Sequence, residues 1–72
     1  MPEKTYKIIE VVGVSADSVQ QAVRNAIAKA SQTVRNIDWF EVQQIRGAVR
    51  SGQAEFQVAV KIGFRLEGQP VA

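Results

Sequence analysis

The stretch AEFQVAVKIGFRL, residues 54 to 66, constrains the fold more than any other part of the chain. Phe56, Val58, Val60, Ile62, Phe64 and Leu66 alternate with Glu55, Gln57, Ala59, Lys61, Gly63 and Arg65. A period of two is the signature of an extended strand, because successive side chains leave on opposite faces. One face of this strand is wholly apolar and must be covered. A single strand cannot do that, so this long strand with one apolar face needs a partner layer.

The remaining segments supply it. KTYKIIEVV, residues 4 to 12, reads as a strand with apolar residues on both faces, ended by Gly13. Val19, Ala22, Val23, Ala26, Ile27 and Ala30 then recur at helical spacing, with Val34 extending the stripe. This predicts a helix over about residues 16 to 34, with Ser15 as N-cap, Asp17 in the first turn and Asn36 at the end. Its stripe is largely alanine, so it can lie close against a sheet. Residues 38 to 48 form another strand, and RSGQ, residues 50 to 53, is the hairpin turn, with Gly52 free to take positive φ. The tail from Glu67 onward reads as loop.

The order β-α-β-β defines an α+β domain over residues 1 to 72. A right-handed crossover runs the first and second strands parallel, and the hairpin places the third between them. The expected product is a three-stranded antiparallel sheet, order 2-3-1, with one helix on its apolar face.

Composition removes most kinds of catalysis. The chain has 72 residues, with no cysteine and no histidine. That excludes disulfides, thiolate and imidazole metal sites, and a His-activated nucleophile. Ser15 and Ser18 are better explained as helix-capping residues than as nucleophiles. GVSADS lacks the glycines and the lysine of a phosphate loop. No metal site and no enzyme are expected. No apolar run approaches the ~18 residues of a membrane span, and MPEKTYK lacks the apolar core of a signal peptide. The cytoplasm is the expected location. A chain this short buries only about 60 % of its unfolded surface, which favours self-association.

The second sheet face is where function is expected. In NIDWFEVQQIRG, residues 36 to 47, strand parity sends Phe40 and Val42 to the core and Trp39, Glu41, Gln43 and Ile45 to the other side. Arg46 falls on the core-side parity, near the hairpin tip. If the turn centres near Ser51, Trp39 lies opposite Gly63 and Ile45 opposite Gln57. Glycine across from tryptophan leaves room for the ring to lie flat. The open face then carries Trp39, Gln43, Ile45, Gln57, Lys61 and Arg65. Trp39 and Gln57 are roughly 20 Å apart along the strands. They can serve one small ligand only if two subunits meet there. An outward tryptophan fits two roles, packing at a subunit interface or a platform for a ligand.

YKIIEVVGVS, the alanine-lined helix, DWFEVQQIRG and FQVAVKIGFRL together resemble the dodecins, in particular the bacterial ones. The resemblance covers about residues 3 to 67. It implies a hollow dodecamer that binds flavins at sites between subunits. It also implies that Trp39 stacks on the isoalloxazine ring and that Gln57 hydrogen-bonds the ring's polar edge. Arg46 and Arg65 are expected near anionic groups of the ligand. FMN is the expected flavin, with riboflavin or other flavins and coenzyme A as further ligands. The implied role is flavin storage and buffering with quenching of the excited flavin. The alternative is a small nucleic-acid-binding module using the open sheet face. It is disfavoured by a formal charge of only +2 and by Glu41 and Glu55 interrupting the basic residues.

Overall fold

A computed structural model describes residues 3–67. Four elements occur in the expected order: β1 (Tyr6–Ser15), α1 (Val19–Ala30), β2 (Ile37–Arg50) and β3 (Gln53–Arg65). The strands form one antiparallel sheet in the order β1-β3-β2. The alternating strand is therefore the central one, as the crossover and hairpin predict. Residues 68 to 72 of the expected C-terminal loop, and Met1 and Pro2, lie outside the described residues.

The core sits between β3 and α1. Val58, Val60 and Ile62 are fully buried, and Ala22, Ala26 and Ala30 face them from the helix. Each of those branched side chains contributes on the order of 1.5–3 kcal/mol by leaving water. Ile9, Val11, Val19, Val23, Ile27 and Ile37 pack around this centre. Alanine is what allows the helix so close. At Gly13 an added Cβ would stand 1.9 Å from the Ala22 carbonyl oxygen and 2.9 Å from the Ala26 Cβ. Gly13 therefore does not end the strand, as its type suggested. It continues β1 to Ser15 and forms the contact point with α1.

The helix is shorter than its apolar stripe. Its N-cap is Ser18, whose hydroxyl accepts from the Gln21 amide at 2.9 Å. Ser15 is instead a buried strand end whose hydroxyl accepts from the Asp17 amide at 2.9 Å. Asp17 thus precedes the helix, and the first turn holds no acidic residue. At the far end a tight turn closes with the Val34 amide on the Ala30 carbonyl at 2.9 Å. Asn36 does not cap the helix. It takes a φ of 66° and turns the chain into β2.

The helix covers only part of the sheet. It lies over β1 and β3 and leaves most of β2 uncovered. On the helix side of β2, Phe40 is 44 %, Ile45 58 % and Val49 79 % exposed. On the opposite face Ile8 and Val12 of β1 are more than half exposed. The chain extends over 56 Å with cross-dimensions of 20 and 17 Å. A monomer of this shape leaves apolar area on both sheet faces, consistent with the expected need for further burial.

Candidate functional site

Two irregularities in the β2–β3 ladder decide which side chains share the open face. Ile37 pairs with Phe64 but Trp39 with Gly63, so Asp38 is an extra residue. Val42 pairs with Val60 but Gln44 with Ala59, so Gln43 is another. Each extra residue reverses the parity of the residues beyond it. The expected partner of Trp39, Gly63, is correct. The expected partner of Ile45 is not. Ile45 pairs with Val58 and turns to the helix side, while Arg46 pairs with Gln57 and joins the open face. Simple alternation puts Arg46 on the core side, and the bulge at Gln43 is the reason it is not there.

The open face therefore holds two clusters. At the hairpin end, Arg46 Nε donates to Gln57 Oε1 at 2.9 Å. This fixes the amide: its oxygen is occupied by the guanidinium, and its nitrogen remains to donate to an acceptor above the sheet. Further out on the hairpin, Arg50 Nε meets Glu55 Oε1 at 3.1 Å, an exposed pair of small energetic weight.

At the other end lies Trp39. A Cβ added to Gly63 would come within 2.3 Å of the indole carbons Cε2 and Cζ2. The ring thus lies flat over the glycine, on the backbone of the central strand. One indole face is taken by the sheet and the other points outward, and the residue is 41 % exposed. Gly63 itself is buried beneath it. Arg65 is two residues along β3 on the same face, roughly 7 Å at strand rise. Glu41 and Lys61 are register partners on this face as well.

Tyr6, which sequence parity gave no functional weight, completes this end. Its ring centroid is 4.9 Å from that of Trp39, with the planes 60° apart. Its hydroxyl donates to Asp38 Oδ2 at 3.0 Å. That hydrogen bond, foremost, pushes the Tyr6 phenol above its ordinary value of 10, with desolvation and the Asp38 charge adding and Arg65 opposing. No sequence signal marked Tyr6, because its place depends on the β1–β3 register, which sets Tyr6 against Arg65 and Ile8 against Gly63.

The structure thus brings Arg46 to Gln57, and Trp39 and Arg65 to the other end. Six residues of β3 separate Gly63 from Gln57, about 20 Å at strand rise. One chain cannot offer all four residues to one small ligand. A flat apolar surface, an oriented amide and two guanidinium groups suit a planar aromatic ligand carrying carbonyls and negative charge. Among the described residues no cluster of three or more acidic, His or Cys side chains could hold a metal ion, and no helix is long and apolar enough to cross a membrane.

Comparison with known proteins agrees with this architecture. The family model described as Dodecin matches residues 5–67. A curated dodecin from Thermus thermophilus is 46 % identical over 65 residues, covering 89 % of this chain and 94 % of its own. The solved dodecin from Streptomyces coelicolor superposes with a TM-score of 0.89 at 56 % identity, over 96 % of this chain and 100 % of the other. A calcium dodecin from Mycobacterium tuberculosis, described as having a novel calcium-binding site, is more distant. It has a TM-score of 0.80 and 29 % identity, over 93 % of this chain and 99 % of the other.

Proposed function

Since the chain belongs to the dodecin family, we propose that it is a flavin-binding protein, with FMN as its ligand, and that it holds the flavin where copies of the chain meet in a dodecameric shell. The observation that carries the reading is the Trp39 indole lying flat on Gly63 with its outer face open. An aromatic contact of this kind contributes about 0.5–1.5 kcal/mol beyond the burial of area.

The donor set fits the group. Gln57 has its oxygen engaged by Arg46, so its nitrogen is the donor offered to a ring carbonyl. Arg65, beside the Trp39 platform, has the fork of donors suited to phosphate. Arg46 both orients Gln57 and adds positive charge. Because the two clusters are far apart in one chain, Trp39 and Arg65 of one copy act with Gln57 and Arg46 of another. This also accounts for the bare apolar strip of β2 and the exposed residues of β1, which self-association would cover.

The role is storage and buffering rather than turnover. Bound flavin supplies an extended aromatic ring whose excited state is quenched by contact with the electron-rich indole. What the chain does is bind, orient and exclude water. Coenzyme A is a second candidate ligand for the same arginines, and the cytoplasm is the proposed compartment. A titration of FMN with Trp39→Ala tests the reading. Strongly weakened binding with the assembly intact supports it, and loss of the assembly instead makes Trp39 a packing residue.

A further inference from the structure

Trp39 stands on an edge strand, on the face away from α1, and is 41 % exposed. The sheet seats one face of its indole over Gly63. A second contact reaches the ring from elsewhere in the chain. Tyr6 comes from the opposite edge strand. It pairs with Arg65 across β3, while Trp39 pairs with Gly63 from the other side. The Tyr6 ring meets the indole at a tilted 60°, and its hydroxyl continues to Asp38 Oδ2 at 3.0 Å.

The bond therefore spans the sheet from one edge strand to the other, across the central strand. Asp38 is also the extra residue that sets the parity of Trp39 relative to Ile37. The aspartate at the bulge and the tyrosine across the sheet thus act on the same side chain. We propose that Tyr6 and Asp38 are positioning residues, forming a strut across the sheet that holds the Trp39 indole in the orientation needed for stacking. This deepens the flavin reading and rests on it for its functional meaning, though the strut itself is independent of any ligand.

Besides Asp38 itself, the charge acting on the Tyr6 hydroxyl is that of Arg65. Arg65 lies next to the tyrosine and is a proposed phosphate contact. Tyr6→Phe leaves every charge in place and acts on stacking alone, whereas Asp38→Ala also removes a negative charge near Arg65. This separation is measurable, since a riboflavin titration omits the phosphate.

Trp39 is the chain's only tryptophan, so its own emission reports its mobility before any flavin is added. The experiment is time-resolved anisotropy of Trp39 in the ligand-free full-length protein, then FMN and riboflavin titrations. The variants are Tyr6→Phe, Asp38→Ala and the double variant. Tyr6→Phe keeps the ring and loses only the hydroxyl. Each single variant is expected to add a fast depolarisation component and to weaken riboflavin about three- to tenfold, as the loss of one hydrogen bond would; Tyr6→Phe, which changes no charge, is expected to weaken FMN equally. The double variant is expected to lose no more than either single one, because both remove the same bond. Indole mobility unchanged from wild type in both single variants overturns the proposal, whatever flavin does. So do losses that add in the double variant. Increased mobility with unchanged flavin affinity overturns the positioning role. If wild type itself fails to bind FMN or riboflavin, the flavin reading falls and the positioning role falls with it; the anisotropy then decides only whether the strut exists.

Discussion

The substitution Gly63→Ala tests how closely the indole is seated. Gly63 does not take positive φ, so its small size rather than its backbone freedom is what the site uses. The new Cβ would lie 2.3 Å from Trp39 Cε2 and Cζ2 and 2.6 Å from Cη2. Carbon atoms rest at about 3.5–4.0 Å, so the ring must rise by roughly 1–1.5 Å or swing away. Swinging away is open to it, since its outer side is exposed. The strand accepts alanine, and the fold should change little. A thermal midpoint within about 8 °C of wild type is expected, corresponding to about 1 kcal/mol for a domain of this size. The stacking platform is what moves. Losing one aromatic contact of about 1.4 kcal/mol weakens FMN about tenfold. The assay is flavin fluorescence quenching alongside circular dichroism at the same chain concentration. FMN affinity within about twofold of wild type, with the assembly intact, would refute the claim that the seat on Gly63 sets the platform.

The same geometry sets other expectations. Gly13→Ala should lower the thermal midpoint by well over about 10 °C, because its Cβ meets backbone atoms of Ala22 that only a retreat of α1 can relieve; a scan matching wild type would show the helix is not seated there. Gln57→Ala should weaken both FMN and riboflavin, and an unchanged dissociation constant by titration would remove it from the site. Arg65→Ala should weaken FMN more than riboflavin, and equal losses would argue against a phosphate contact. Tyr6 is the only tyrosine, so its ionisation can be tracked by ultraviolet absorbance. Its midpoint should lie above 10 and fall toward 10 in Asp38→Asn. The folded chain holds this proton more tightly than the unfolded one. The stabilisation is therefore complete below pH 10 and fades as the pH rises through the folded value.

Much of this architecture was legible in the residues. The crossover and the hairpin pointed to β3 as the central strand, and the alanine stripe named the helix that could approach it. The turn position pointed to the pairing of Trp39 with Gly63. What strict alternation missed were the ladder irregularities at Asp38 and Gln43, although the apolar residues of β2 mark them: Ile37, then Phe40 and Val42, then Ile45 and Val49 change parity at those two positions. The second of these moved Arg46 onto the face of Gln57 and turned Ile45 away. The helix start was displaced for a local reason. Ser15 and Ser18 are both competent caps, and the close approach at Gly13 keeps Ser15 in the strand. The partial cover of β2 was also hidden, since its apolar residues read as core whether this chain or another covers them. The Tyr6–Asp38 bond joins residues distant in sequence, and only the sheet order brings them together.

The central claim is that Trp39 is a stacking platform for a flavin. Its most direct test is to add ligand-free protein to FMN at fixed concentration and monitor flavin emission. The account predicts deep quenching that saturates at about one flavin per chain, with the ring against an indole. Emission unchanged at micromolar protein would contradict it and leave Trp39 as an interface residue.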